Sequence, residues 1–267
     1  MSSPSAGRVA PDVLWAHGRF GRTSRLDRWW FAPLLVFLGF STFIVYATWA
    51  ALQGNNYVYG PYISPFYSPE IFGTSPHAWF PPPAWFPRFL PFSPALFILW
   101  IPGGFRFTCY YYRGAYYKSF WADPPACSVG EPRQTYLGER WFPLVLQNAH
   151  RYFLRLAYPV WGFLLLDAIR GFIFPNGFGI GVGSLILTVN VILLGGYVFG
   201  CHAFRHLSGG GLDRLSEHPV RHKLYNCVTC LNGNHKKWAW ASLVSVGFAD
   251  LYVRLCAMGV WTDWRIF

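Results

Sequence analysis

Charge is scarce in this sequence. Of its 267 residues, 12% are Asp, Glu, Lys or Arg, about half the share of an ordinary soluble domain. So few charges cannot clothe a chain of this length in a water-facing surface, which excludes a soluble globular fold. The chain also lacks the high charge of a disordered segment, the cysteine density of a disulfide-stapled secreted module and the composition of a coiled coil. It has no internal repeat, which argues against a transporter built from inverted halves. What it has is apolar: 53% of residues are hydrophobic and 21% are aromatic. That is the composition of an all-α integral membrane protein.

A helix needs about 20 mostly apolar residues to cross the hydrocarbon layer. Five stretches qualify, at about 31–52, 89–112, 152–174, 180–204 and 238–261. The first and fourth carry no charge, whereas the second is interrupted by Pro91, Pro94 and Pro102. Such breakers are tolerated where neighbouring helices satisfy the freed backbone groups. The first stretch is too long, and its flank too elaborate, for a cleaved signal peptide. The expected organisation is a cytoplasmic N-terminal segment, 1–28, followed by a five-helix membrane domain, 29–267.

The few charges are one-sided, with a formal net charge of +11. Basic residues gather before the first span (Arg8, Arg19, Arg22, Arg25, Arg28) and around the second-to-third connection (Arg106, Arg113, Lys118, Arg133, Arg140, Arg151, Arg155). A third group surrounds the fourth-to-fifth connection (Arg205, Arg214, Arg221, Lys223, Lys236, Lys237). Together these are 18 of the 22 Lys and Arg. The other face has Arg88, Arg170, Arg254 and Arg265. Lys and Arg collect in cytoplasmic loops, so the N-terminus is expected inside and the C-terminus outside. The collar suits anionic lipid headgroups or an acidic protein docked on that face. Nucleic acid is not an expected partner, because no binding motif accompanies the charge. On the outer side, Asn55 to Pro87 is rich in Pro and aromatic residues and is expected to lie in the interface or cap the bundle.

The cytoplasmic edge also collects metal-ligand residue types. Cys109, Cys127, Cys201, Cys227 and Cys230 fall there, with His150, His202, His206, His218, His222 and His235; only Cys256 lies away from them. Cytosolic thiols stay reduced, so disulfides are not expected. His202 and His206 are spaced i, i+4 and share one helix face. Cys227-x-x-Cys230, with His222 and His235, has a spacing that could hold tetrahedral zinc. His150 with His202 or His206 could ligate haem b, and a set of two Cys and two His suits a Rieske-type [2Fe–2S] cluster. Spacing alone leaves these three open.

Several stretches resemble a known family. They are Arg106-Phe107-Thr108-Cys109-Tyr110-Tyr111-Tyr112-Arg113, Pro124-Pro125-Ala126-Cys127, Gln147-Asn148-Ala149-His150-Arg151-Tyr152, Cys201-His202-Ala203-Phe204-Arg205-His206 and Asn234-His235-Lys236-Lys237-Trp238-Ala239-Trp240. They look like the single membrane-anchor subunit of type F succinate dehydrogenase, a respiratory complex II. The resemblance covers about Arg25 to the C-terminus. It implies a multi-pass anchor in the bacterial cytoplasmic membrane, embedded in lipid, with a Rieske-type cluster near the inner face. It implies a flavoprotein subunit and an iron–sulfur subunit as partners, with electrons passing from them to quinone. The alternatives are a haem b cytochrome subunit of a quinone oxidoreductase and a non-redox scaffold stapled by zinc. Within the matching stretches the leading ligand set is Cys109, Cys127, His202 and His206, since i, i+4 imidazoles can share one iron. Cys201, His150 and His235 come next, and Cys227 and Cys230 fall outside the matching pattern.

A quinone needs donors to its carbonyl oxygens and a proton source. Tyr110, Arg113, Tyr116, Tyr117, Trp121 and Trp238 are candidates, against the competing reading of an interfacial aromatic belt. Asp167 and Arg170 lie in the third span, Asp250 and Arg254 in the fifth, the acids roughly 20 Å from the inner edge. They are expected to pair across helices as a structural ion-pair cluster, or to serve a proton path or a second, outer quinone pocket.

Overall fold

The computed structural model describes residues 20–87, 89, 91–132 and 144–267. Most of the expected N-terminal segment 1–28 lies outside the described residues, as do Arg88, Arg133 and Arg140. The chain divides into two compact units, Met1–Thr42 with Tyr110–Gln147, and Phe43–Cys109 with Asn148–Phe267.

Four helical stretches among the described residues are long and apolar enough to cross a membrane: Phe31–Gln53, Val145–Arg170, Val182–Phe199 and His235–Ala257. They fall on the first, third, fourth and fifth expected spans. The second expected span, 89–112, is not one helix. Here the chain makes a 3-10 turn at Pro94–Phe97, helix α2 (Trp100–Thr108), helix α3 (Tyr110–Tyr116) and a π-helical turn at Tyr117–Trp121. The sequence dictates the breaks. Pro94 opens the 3-10 turn with no N–H to give. Cys109 then adopts an extended conformation (φ −65°, ψ 130°), which ends α2 and starts α3 afresh.

In the larger unit, helix α5 (Val182–Phe199) packs against both α4 (His150–Arg170) and α8 (His235–Ala257). Val160, Leu164 and Ala168 of α4, Leu187 and Val191 of α5, and Ala249 and Val253 of α8 form one buried cluster. Lipid gives no hydrophobic reward for joining helices, so close packing must do it. Gly196 shows how close: a Cβ there would stand 2.6 Å from the Trp238 ring. The Trp161 indole N–H donates to the Val191 carbonyl at 3.0 Å, tying α4 to α5. Helix α1 (Phe31–Gln53) is exposed along most of its length, and its buried residues are Ala50 and Ala51.

The loop after α1 caps this unit, as its composition predicts. Strands β1 (Val58–Tyr59) and β2 (Tyr62–Ile63) form a hairpin, and Tyr57, Tyr62, Ile63, Phe66 and Tyr67 are buried. Buried Glu70 accepts hydrogen bonds from Tyr57 (2.9 Å) and from Ser75. A second hairpin, β3 (Ile173–Phe174) and β4 (Gly177–Phe178), joins α4 to α5. Asp263, in the segment after α8, accepts from the Tyr62 hydroxyl (2.8 Å), the Tyr252 hydroxyl (2.6 Å) and the Gly183 N–H (2.9 Å). At the opposite end, α5 stops at Phe199, Cys201 is extended, and the short helix α6 (His202–Gly209) begins, followed by α7 (Pro219–Gly233).

In the smaller unit, the segment before α1 runs beside the turn that holds Cys127. The Gly21 N–H donates to Gly130 O (3.0 Å) and the Gly130 N–H to Arg22 O (2.8 Å). The Thr23 hydroxyl donates to Ser128 O at 2.7 Å.

Candidate metal centre

Two cysteines sit where helices break, and two histidines sit where helices begin. Cys109 separates α2 from α3, and Cys201 separates α5 from α6. His150 is the first residue of α4 and His235 the first of α8. Extended residues at helix breaks free a side chain from the helix surface. A histidine at a helix start projects from the end of the bundle.

The result is two thiol–imidazole pairs. Cys201 Sγ lies 3.0 Å from His150 Nε2. Cys109 Sγ lies 3.5 Å from His235 Nε2. Both thiols are buried and both imidazoles are half-buried. The pairs are joined through consecutive residues, because the Thr108 hydroxyl lies 2.8 Å from His150 Nδ1 while Cys109 reaches His235. Thr108 fixes which nitrogen of His150 is engaged and leaves Nε2 turned to the thiol. Ring contacts close the space around the imidazoles. His150 stacks on Phe105 at 4.7 Å and His235 on Tyr197 at 5.1 Å, and Phe105 meets Tyr197 edge-on at 5.4 Å. Arg106 lies over Tyr197 (4.6 Å) and donates to Ser242 Oγ (3.0 Å). Thr108, Phe105, Arg106 and Tyr197 were not singled out as supports from sequence; the signal for Thr108 was its place just before Cys109 at a helix end.

Cys201 lies past Phe199, the last residue of its span. Burial pushes its thiol up to about 12, the Cys109 thiol pushes the same way, and the backbone amides of Ala203 and Phe204 oppose them. A bound cation is the physical means of placing a thiolate in such a position.

The leading set from sequence is not brought together: among the described residues, no three His, Cys, Asp or Glu stand close enough to hold one ion. Cys127 is exposed, and its carbonyl accepts from Arg25 Nη1 at 2.9 Å. His202 and His206 do share one face of α6, with their Nε2 atoms 3.0 Å apart, but both are exposed. The zinc set is divided as well. His222, Cys227 and Cys230 are exposed on α7, while His235 faces Cys109. Of the quinone candidates, Tyr110 is exposed beneath Arg113 (4.7 Å), Tyr116 accepts from Gln147, and Trp121 packs on Tyr116 and Tyr117 (5.4 and 5.1 Å). Trp238 has a buried indole N–H with no hydrogen-bond partner.

The ionisable residues of the spans need a correction, since they pair within helices and not across them. Asp250 and Arg254 form a buried i, i+4 pair at 3.2 Å. Asp250 also accepts from the Tyr46 hydroxyl (2.6 Å) and from Ser64, and Arg254 donates to Asn55 O (3.0 Å) and Ala50 O (3.4 Å). Asp167 has Arg170 at 3.8 Å, i, i+3, and accepts from Ser68. The partners from other elements are hydroxyls and carbonyls, which complete each pair locally and remove the need for a four-charge cluster.

A bundle of long apolar helices with buried thiol–imidazole pairs at one end defines a polytopic membrane protein with a candidate metal centre at the edge of its spans. The comparisons specify it further. Residues 31–259 match the family described as actinobacterial succinate dehydrogenase subunit SdhC. The chain is also similar to a chain of the Mycobacterium smegmatis Sdh1 complex in the apo form. The identity is 44% and the TM-score 0.85, over 92% of this chain and 94% of that one. A search of curated proteins finds no match. The chain belongs to the actinobacterial SdhC family, and it is a membrane subunit of succinate dehydrogenase.

Proposed function

We propose that this subunit takes electrons from a docked iron–sulfur subunit and delivers them to quinone. We propose further that Cys109, Cys201, His150 and His235 hold a Rieske-type [2Fe–2S] cluster. The observation that carries this reading is the pair of thiol–imidazole contacts linked through Thr108 and Cys109. A single zinc ion needs four ligands converging on one point. Two cysteines and two histidines gathered at one end of the bundle supply the two-thiolate and two-imidazole sets that the two irons of a Rieske-type cluster take. A haem between two histidines fits less well, because each Nε2 faces a thiol and each imidazole face is covered by Phe105 or Tyr197. When bound, such a cluster supplies reversible one-electron transfer at a raised potential.

The chain's own residues do the remaining work. Thr108 orients His150, and the amides of Ala203 and Phe204 support negative charge on Cys201. Phe105 and Tyr197 keep water from the imidazole faces. Trp238, one turn beyond His235 in α8, offers its unpartnered N–H to a quinone carbonyl. We place the fifth crossing in the broken segment that ends at Thr108, so that the termini lie on opposite sides of the bacterial cytoplasmic membrane, with the N-terminus inside. The basic collar supports that orientation and gives the flavoprotein and iron–sulfur partners a face to dock on.

The test is iron, labile sulfide and EPR on the purified complex. Cys201→Ser and His150→Ala are expected to lose the two irons and two labile sulfides of this cluster and its signal of low average g, while the iron and sulfide of the iron–sulfur subunit remain. Succinate-dependent reduction of a soluble dye should persist, and quinone reduction should fall at least about a hundredfold, the upper end of what losing a supporting partner of a metal ligand costs. An unchanged iron content and low-average-g signal in both variants, with loss of both in Cys127→Ser, would move the cluster to the other ligand set.

A further inference from the structure

With the buried pairs accounted for, His202 and His206 remain. Both are exposed on α6, their rings are 84° apart, and their Nε2 atoms face each other at 3.0 Å. The contact is a hydrogen bond, so one Nε2 carries its proton here; with that proton on Nδ1 instead, both nitrogens can serve one ion. At a metal–nitrogen distance of about 2.0–2.1 Å, a 3.0 Å separation subtends about 95° at the ion. Tetrahedral zinc would hold the nitrogens about 3.3 Å apart. Tetragonal Cu(II) and Ni(II) hold adjacent ligands near 90°.

The scaffold under the pair is fixed. The Arg221 guanidinium caps the end of α6 through Ser208 O (3.1 Å), Leu207 O (3.4 Å) and Gly210 O (2.7 Å). Arg205, the cation between the two histidines in sequence, is engaged elsewhere. It lies over the Tyr225 ring (4.7 Å) and donates to Thr229 (3.0 Å).

We infer that His202 and His206 form a second metal site, on the exposed face of α6 in this chain, for a divalent transition ion of tetragonal preference, Cu(II) or Ni(II), with water completing the coordination. The inference rests on the proposed function only in assigning the cluster to the buried residues. The ion neither adds nor removes electrons; it binds two neutral imidazole nitrogens and displaces water.

The experiment titrates the intact purified complex with Cu(II) and follows binding by EPR, with iron and labile sulfide assayed in parallel. The expected result is an axial copper signal with nitrogen coupling, and an affinity at least tenfold weaker in His206→Ala and in His202→Asn. Iron content should be equal in all three proteins. Equal copper affinity in the variants, or a copper signal without nitrogen coupling, overturns the site. Iron loss in His206→Ala also overturns it, by returning the pair to the cluster. A wild-type complex without a signal of low average g would sink the proposed function instead, while the copper titration still decides the site.

Discussion

Helix α8 carries ionisable or ligating groups at both ends, and the surroundings treat them in opposite ways. Toward its C-terminus, Asp250 and Arg254 are buried to 0% and 2% exposure and are saturated with partners. Tyr46, Ser64, Asn55 and Ala50 complete the pair from α1 and the capping loop. At the N-terminus, the His235 Nε2 meets a thiol, and the indole N–H of Trp238 one turn on has no partner among the described residues. A buried charge pair that is fully hydrogen-bonded holds helices in place. Soft ligands facing one another, beside an unspent donor, are suited to a guest. One end of this unit is finished by its own chain, and at the other the proposed function puts a bound group.

The largest expected effect breaks the finished end. Removing one member of a buried ion pair costs about 3–5 kcal/mol, because the other is left uncompensated. Asp250→Leu or Arg254→Leu should therefore abolish or sharply reduce assembled complex, and the double variant should recover part of it. Yield and thermal unfolding of the complex measure this. A single variant as stable as wild type would erase the contrast between the ends. Next comes Gly196→Ala, whose Cβ would press on the Trp238 ring at 2.6 Å. Overpacking of this kind costs about 1–3 kcal/mol. It should lower the melting temperature and displace Trp238, lowering quinone reduction more than dye reduction. At the other end, Thr108→Val removes the contact to His150 and should cost about 1 kcal/mol in stability. Its larger signature should be a roughly 10- to 100-fold weaker hold on the bound metal, read as iron lost to a chelator. The smallest effect is expected from Cys227→Ser with Cys230→Ser. Both thiols are exposed on α7, and their removal should change neither iron content nor stability.

The helices were legible in the sequence where length and apolarity alone decide. The expected 31–52 became Phe31–Gln53, and the expected 238–261 became His235–Ala257. The second span was not, because a hydropathy window averages over Pro94, Pro102 and the extended Cys109, while the backbone responds to each singly. The site was half legible. Cys109, Cys201, His150 and His235 were all among the candidates, but the leading set joined Cys109 and Cys127 to His202 and His206, the two histidines on their i, i+4 spacing. Spacing tells which residues share a helix face, and these two do, at 3.0 Å. It does not tell whether that face is buried, nor that Cys201 meets a histidine 51 positions earlier. The ion pairs erred the other way. Asp250 and Arg254 carry a plain i, i+4 signal, whereas matching depth in two helices pointed to a cluster that hydroxyl partners make unnecessary.

The order of the four buried residues along the chain has a consequence for biosynthesis. Cys109, His150, Cys201 and His235 come from four successive segments, and each thiol pairs with an imidazole from another segment. The Cys201–His150 pair can close as soon as α4 and the α5–α6 junction are in the membrane. The Cys109–His235 pair must wait for α8, made after the other three segments. Any group that required both pairs could be bound only once α8 had been made, and a nascent chain stalled before α8 would hold one pair of the two.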